Sequence, residues 1–180
     1  IKYIQRRTKL INSNRCENDA EHSWHLAMMT LILAEHSNEP IDVLKVIKMV
    51  LIHDIVEIDA GDTFIYDTQK NHTNTANELE AAKRIFGILP TKQRDELIDL
   101  WMEFEEGKTV DAKFAKAMDR LEPLLQNASN RGGTWAEYNV PYSKVYEKKK
   151  IIKNGSDSLW KYAEEIINQC VTEGILKKQE

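Results

Sequence analysis

The sequence predicts an all-α protein, and two observations carry that prediction. Apolar residues recur at the three- and four-residue spacing of amphipathic helices through most of the chain. Strand signals are nearly absent, because no stretch alternates apolar and polar residues for long and no Asn-Gly or Asp-Gly turn joins two such stretches. We therefore expect a single compact helical bundle over residues 1–180, in which helices 142–174 pack on a core of residues 15–125.

The predicted helices, in chain order, are residues 20–37, 43–58, 75–87, 91–107, 111–125, 142–153 and 157–174. Asp42 is a suitable cap for the second helix, and Thr75 with Glu78 has the spacing of a capping box for the third. The segments 62–74 and 127–141 are predicted loops. The second helix is apolar around most of its circumference, which predicts a position in the middle of the fold.

Composition limits the classes of binding partner and the cellular compartment that we expect for this protein. The formal net charge of −4 gives no general reason to expect nucleic acid or an anionic membrane. No apolar run reaches the roughly 20 residues that span a bilayer, and no signal peptide is visible. The two cysteines, Cys16 and Cys170, are too few for a disulfide scaffold and suit a reducing compartment. These observations lead us to expect a cytoplasmic protein with no membrane or nucleic-acid partner.

Ionisable residues interrupt the most apolar predicted helix. His53 and Asp54 lie between Ile52 and Ile55, where such groups are costly unless they are paired, hydrogen-bonded or bound to a metal. Glu57 lies one helical turn beyond His53, so the three side chains can point to one side. Imidazole and carboxylate ligands suit first-row metals. A buried histidine hydrogen-bonded to an aspartate is also a common core arrangement, and this helix alone favours that interpretation over a metal site.

Two other helices add candidates. His22 and His25 lie three residues apart in the first turn of the first helix, so both can face the same side, although a surface histidine pair is the simpler interpretation. The first helix is expected to have Trp24, Met28, Leu31 and Ile32 on one side. In the helix 111–125, the apolar stripe runs through Phe114 and Met118, and periodicity predicts that Asp119 is exposed to solvent.

Taken together, these segments resemble a known family. Residues 15–23 contain Glu-His-Ser, residues 53–62 read His-Asp-x-x-Glu-x-x-x-Gly-Asp, and residues 112–121 contain a late Ala-Lys-x-x-Asp. Their order resembles the H…HD…D signature of the HD superfamily of helical metal phosphohydrolases, and within it the 5′-deoxynucleotidase-like branch. The matching segments lie between residues 2 and 125, and the three together are far more specific than any one of them.

The resemblance implies a role for each matching residue. The implied metal ligands are His22, His53, Asp54 and Asp119, with the metal lowering the pKa of a water that attacks phosphorus. The implied catalytic carboxylates are Glu57, which assists proton transfer, and Asp54. The implied substrate-binding residues are Arg7, which orients the phosphate, Asp62 and Thr63. The cofactor is a divalent metal ion, and the ligand set leaves Co, Mn, Mg, Zn, Fe and Ni open.

Two positions depart from the pattern of close relatives. Thr8 stands where they carry a tryptophan beside the sugar, and the segment that begins Thr63-Phe64 lacks a proline that is common among them. Both differences fall in the implied substrate pocket and outside the implied metal site. Base and sugar preference are therefore not predicted.

The expected function is hydrolysis of the phosphomonoester bond of a nucleoside 5′-monophosphate. An HD hydrolase acting on a nucleoside triphosphate, or on a cyclic or hyperphosphorylated nucleotide, is an alternative, and so is a non-catalytic helical ligand-binding module. The resemblance also suggests a homodimer. An aromatic-rich C-terminal segment either supplies the interface or packs in the core, and its residues are Trp135, Tyr138, Tyr142 and Trp160.

Overall fold

The computed structural model describes residues 1–66 and 74–178, without the side chains of Asn74 and Thr75. The middle of the predicted loop 62–74, with His72, and the Thr75 half of the predicted capping box lie outside the described residues. The helices are α1 (Asp19–Leu33), α2 (Val43–Ile52), α3 (Glu57–Ala60), α4 (Asn74–Phe86), α5 (Thr91–Glu106), α6 (Val110–Ser129), α7 (Gly133–Glu137), α8 (Tyr142–Lys149), α9 (Ile152–Gly155) and α10 (Asp157–Thr172). The prediction of an all-α fold is confirmed.

A small strand ribbon precedes the helices. Strand β1 (Gln5–Lys9) pairs antiparallel with β2 (Cys16–Asn18), and Lys9 lies opposite Cys16. The sequence did not predict this ribbon, because its second strand has three residues and shows no alternation long enough to detect. Asn18 ends β2 and starts α1 with a capping box, in which its side chain accepts from the Glu21 backbone N–H while the Glu21 carboxylate accepts from Asn18.

Helix α1 carries Trp24, Met28, Leu31 and Ile32 on one side, as predicted, and this side faces solvent. Trp24 is 64% exposed and Ile32 is 65% exposed, whereas Leu26 and Met29 are buried. Apolar residues occur on both sides of this helix, so periodicity could not choose between them. The side that packs against α2 and α6 is the one that carries His22.

The predicted helix 43–58 is interrupted. Helix α2 ends at Ile52, and a 3₁₀ turn follows over His53–Val56. Helix α3 ends at Ala60 and is followed by Gly61, whose φ of 76° favours glycine. Asp42 caps α2 as predicted, by accepting from the Lys45 N–H. The prediction that this run lies in the middle of the fold is wrong in part, because Leu51 and Ile58 are exposed.

Helix α6 lies at the centre of the fold and contacts α1, α2, α5, α9 and α10. Because neighbours cover it on most sides, the predicted exposure of Asp119 is wrong: this residue is buried, and Glu122 one turn later is completely buried. Both carboxylates face polar groups of the protein, which makes their burial tolerable.

The C-terminal segment is more helical than predicted. The expected loop 127–141 contains the end of α6 and the short helix α7, and the Asn127 side chain accepts from the Thr134 backbone N–H at its start. Trp135 and Trp160 are buried in the core, which confirms the packing interpretation for these two aromatics. No helix in the described part of the chain is long and apolar enough to cross a membrane.

Candidate metal centre and active site

Four side chains that are distant in sequence meet at one buried point. The His22 Nε2 atom lies 3.3 Å from Asp119 Oδ1 and 4.0 Å from Asp54 Oδ2. The His53 Nε2 atom lies 3.0 Å from Asp54 Oδ1 and 3.8 Å from Asp119 Oδ1. All four residues are buried. The structure thus brings together the two histidines and two aspartates that the resemblance implies as metal ligands.

Local structure aims the His53 ring at this point. The 3₁₀ turn that begins at His53 places its Nδ1 atom 2.9 Å from the Val50 carbonyl oxygen, which accepts a hydrogen bond from it. The ring also packs against Phe104, with centroids 4.9 Å apart, and the Trp101 indole donates to the His53 backbone carbonyl. The bond at Nδ1 leaves Nε2 available for a ligand role.

A buried carboxylate orients the His22 ring in the same way, through a hydrogen bond at Nδ1. The His22 Nδ1 atom donates to Glu122 Oε2 at 3.2 Å, and Glu17 Oε1 lies 3.5 Å away. The Gln126 amide donates to both carboxylates, and His25 Nδ1 lies 2.9 Å from the other Glu122 oxygen. Thus His22 and His25 reach one carboxylate, but only His22 reaches the centre. Glu122 was missed in the sequence, although it lies one helical turn after Asp119.

Arg6 is a second residue that sequence reasoning missed. Its Nη1 atom donates to Asp54 Oδ2 at 2.6 Å, and its Nε atom lies 3.3 Å from Glu17 Oε1. Arg7, the predicted phosphate ligand, is exposed and donates to the Tyr138 hydroxyl at 2.7 Å. Alternation along β1 explains the difference, since Arg6 and Thr8 point inward and Arg7 outward.

The charges at the centre suit a cation. Burial acts to raise the pKa of Asp54, but the charges of His53 and Arg6 outweigh it and hold this pKa well below its usual value. Burial acts to lower the pKa of His53, but Asp54 and Asp119 outweigh it and raise this pKa to about 9. The carboxylates therefore stabilise positive charge on the imidazoles, and a metal ion would supply that charge in place of protons.

The donor atoms also fit a metal ion. One donor atom each from His22, His53 and Asp54 lies within 4.8 Å of the others. The buried His53 Nε2 makes no hydrogen bond to any residue that the structure describes. Two imidazole nitrogens with carboxylate oxygens are ligands that first-row divalent metals accept. These residues could therefore hold one divalent metal ion.

Glu57 lies beside the centre with an unused oxygen. Its Oε2 atom is buried and has no hydrogen-bond partner within the described ranges. Burial, followed by repulsion from Asp54, raises the pKa of Glu57 to about 10, and burial with the charge of Asp54 raises that of Asp19 to about 7. Such a carboxyl can carry a proton near neutral pH, which is the property a general acid or base needs.

A cavity of about 850 Å³ opens beside the four side chains. The predicted residues Arg7, Glu57, Asp62 and Thr63 line it together with His53, Asp54 and Asp119. Its volume is within the range of small-molecule sites. The cavity has an aromatic flank, formed by Phe64 and Tyr66, and a basic flank, formed by Lys116, Arg120 and Lys149.

The helical bundle thus places a buried cluster of two histidines and two aspartates at the edge of a cavity. This arrangement is typical of the active site of a metal-dependent hydrolase. A family model described as HD domain matches residues 1–160. The chain belongs to this HD domain family.

Relatives agree with that assignment. The crystal structure of a protein called a predicted metal-dependent phosphohydrolase, from Magnetospirillum magnetotacticum MS-1, matches with a TM-score of 0.93 and 47% identity, over 97% of this chain and 88% of that one. The human 5′-deoxynucleotidase HDDC2 is 30% identical over 115 residues, which are 64% of this chain and 55% of that protein. The 5′-deoxynucleotidase HDDC2 of Dictyostelium discoideum is 32% identical over 115 residues, or 61% of this chain and 60% of that protein. The match therefore spans little more than half the length of these curated relatives.

Proposed function

We propose that this protein is a metal-dependent phosphohydrolase that cleaves the phosphomonoester bond of nucleoside 5′-monophosphates. The observation that carries the proposal is the meeting of His22, His53, Asp54 and Asp119 beside a cavity that a nucleotide would fit. The names of the relatives, which include 5′-deoxynucleotidases and a predicted metal-dependent phosphohydrolase, support the same reaction class.

In this proposal, His22, His53, Asp54 and Asp119 hold one divalent cation. When bound, the cation supplies Lewis acidity at the phosphate and lowers the pKa of water. The bond from His53 Nδ1 to the Val50 carbonyl and the bond from His22 Nδ1 to Glu122 keep both Nε2 atoms directed at the centre. Arg6 donates to Asp54 and balances its charge.

Glu57 is the proposed proton-transfer residue. It lines the cavity, lies close to Asp54, and presents an Oε2 atom that no described residue engages. It carries a proton near neutral pH, donates this proton to the leaving 5′-oxygen and regains one from the attacking water, so that the products are a nucleoside and orthophosphate. Asp62 and Thr63 follow on the next loop and contact the substrate, while Arg7 orients the phosphate from the rim.

The proposal is tested by phosphate release from a panel of nucleoside monophosphates. Purified protein is loaded in turn with Mn, Co, Mg, Zn, Fe(II) or Ni, and His53→Ala is compared with His36→Ala, a change at an exposed histidine. We expect release by the wild type and by His36→Ala, and at least a 10³-fold loss in His53→Ala. Unchanged release in His53→Ala would mean that the activity arises elsewhere.

Product analysis separates the alternatives. Cleavage of a monophosphate yields nucleoside and orthophosphate, whereas hydrolysis of a triphosphate or of a cyclic or hyperphosphorylated nucleotide yields nucleotides. Nucleotide products from those substrates, with none from the monophosphates, would move the protein to another HD reaction. Absence of both activities and of metal binding would leave a helical ligand-binding module.

We also propose that the protein forms a homodimer through α1. Its exposed apolar residues lie at positions i, i+4, i+7 and i+8, which form one stripe: Trp24, Met28, Leu31 and Ile32. Exposed apolar stripes of this kind are typical of protein interfaces. Sedimentation should show a dimer for the wild type and a monomer for Leu31→Glu, with Tyr162→Glu, a change at an exposed aromatic of α10, as the control. A dimer that persists in Leu31→Glu would exclude this face.

A further inference from the structure

The two flanks of the cavity offer a substrate different chemistry. The aromatic flank belongs to the loop after Gly61, which adds Phe64, Ile65 and Tyr66 to the lining. The basic flank comes from α6 and α8. A phosphomonoester held at the metal centre must place its organic part elsewhere in the same cavity. A base has a flat apolar surface, which aromatic rings bind by stacking.

The Phe64 ring contacts two other aromatic rings, which support it. Its centroid lies 4.8 Å from that of Tyr138 and 5.4 Å from that of Tyr66. Tyr66 is itself anchored, because its hydroxyl accepts from the Trp135 indole at 3.2 Å and Trp135 is buried in the core. Phe64 is therefore half-buried and supported, with part of its surface left to the cavity. Such preorganisation lowers the entropic cost of binding a ligand.

Tyr138 joins this ring to the rim of the cavity. It does not line the cavity itself, but its ring contacts Phe64 and its hydroxyl accepts a hydrogen bond from Arg7 Nη1 at 2.7 Å. The Arg7 guanidinium carbon lies 5.7 Å from the Tyr138 centroid. Tyr138 therefore positions both the Phe64 ring and the Arg7 guanidinium at the same side of the cavity.

We propose that Phe64 is the specificity residue that stacks on the nucleobase, and that Tyr138 is a positioning residue that acts through Phe64 and Arg7. The proposal rests on the proposed function and deepens it. Stacking tolerates any base, so this flank selects nucleotides over sugar phosphates without choosing strongly among bases. Thr8, which is small and buried, lines the same cavity.

The test compares a nucleoside 5′-monophosphate with the matching pentose 5-phosphate, which has the same reacting bond and no base. The quantity measured is the ratio of kcat/KM for the two substrates. In Phe64→Leu, which keeps apolar volume and loses the ring, we expect this ratio to fall about 10-fold through KM of the nucleotide, with the pentose phosphate unchanged. Tyr162→Leu, at an exposed aromatic of α10, serves as the control and keeps the wild-type ratio.

Tyr138→Phe separates the two roles of Tyr138. It keeps the ring behind Phe64 and removes the hydroxyl that accepts from Arg7. We expect the ratio to stay at the wild-type value while KM rises a few-fold for both substrates, because Arg7 acts on the phosphate they share. An unchanged ratio in Phe64→Leu, or an equal loss on both substrates, would overturn the role of Phe64. A ratio that falls in Tyr138→Phe would overturn the assignment to Tyr138.

Calorimetry distinguishes a failure of this inference from a failure of the proposed function. If wild-type protein releases phosphate from neither substrate, the proposed function is wrong. Binding of the nucleoside monophosphate then still tests the aromatic flank, with about 10-fold weaker binding expected in Phe64→Leu than in wild type. Equal binding by the two proteins, or none by wild type, would reject the stacking role of Phe64.

Discussion

The candidate metal centre and the aromatic flank of the same cavity are built in different ways. At the centre, His22, His53, Asp54 and Asp119 are buried, and each is engaged by an ion pair or hydrogen bond with another part of the chain. At the flank, Phe64 is half-buried and Tyr138 is 39% exposed, and ring contacts with one hydrogen bond hold them. Substitution at the centre should therefore disturb both folding and chemistry, whereas substitution at the flank should alter recognition alone.

The largest effect within this comparison is expected from Glu57→Gln. The change removes the group that carries the proton while keeping its shape, so kcat should fall about 10²- to 10⁴-fold. Metal content, measured by elemental analysis, should stay at the wild-type level. Glu165→Gln, at an exposed position of α10, is the matched control. Full activity in Glu57→Gln would assign proton transfer to another residue.

Arg6→Met tests how far the centre depends on charge balance. Arg6 contacts Asp54, Glu17 and Asp19, so its removal leaves buried carboxylates without their cation and should lower the free energy of unfolding by about 3 kcal/mol. Urea unfolding of the metal-free protein measures this loss. Arg15→Met breaks an exposed pair with Glu21 and should have little effect. Equal losses in the two variants would contradict the role given to Arg6.

Glu122→Gln keeps the shape of the side chain and should weaken metal binding. The amide is a weaker partner for His22 Nδ1 than the carboxylate, so affinity for Co²⁺ should fall about 10- to 100-fold. Competition with a coloured chelator measures this affinity, and Glu165→Gln again provides the reference. If the two variants bind Co²⁺ equally, Glu122 does not act through His22.

The smallest expected effect is a pH dependence on the basic flank. Lys149 is buried, donates to the Arg120 carbonyl, and has its pKa lowered by burial, and further by the charge of Arg120, to about 7. Below pH 7 the Lys149 ammonium is charged in both the folded and the unfolded protein. The whole cost of burying that charge therefore lowers the free energy of unfolding. Between pH 7 and about 10.5 the unfolded chain keeps the proton and the folded chain loses it, so stability rises with pH.

The Lys149→Met variant has no ionisable group at this position and therefore lacks this pH-dependent contribution to the free energy of unfolding. The groups that face Lys149 (Arg120, Asp119, Glu122 and Arg6) are the same in both proteins. The stability of Lys149→Met relative to wild type should therefore be greatest near pH 6 and should shrink by pH 9, as measured by urea unfolding without metal. A difference that stays constant across this range would mean that Lys149 keeps its proton in the folded protein.

Local signals made most helices predictable from the sequence. The cap at Asp42 and the end of the predicted helix 91–107 were found because short polar and glycine residues satisfy helix ends in a way that sequence reveals. The face that α1 buries was not predictable, since apolar residues lie on both sides of it. The 3₁₀ turn at His53 was also missed, because the apolar run continues through it without a break.

The residues of the candidate site also fall into two groups, those that local sequence signals indicated and those that depend on tertiary contacts. His53, Asp54 and Glu57 were identified because charged groups in an apolar helix need an explanation, but Asp119 was assigned by resemblance against its own periodicity. Its burial depends on how other helices cover α6, which is a tertiary property. Arg6 and Glu122 are contacts between distant segments, and only the inward side of β1 distinguishes Arg6 from Arg7.

The most direct test of the central claim is calorimetric titration of Co²⁺ into metal-free wild type, His53→Ala and Asp119→Asn. If the four buried side chains form the metal centre, wild type binds tightly and both variants lose at least 100-fold in affinity, while His36→Ala binds as wild type does. Equal affinity in wild type and in both variants would place the metal elsewhere and contradict the proposed site.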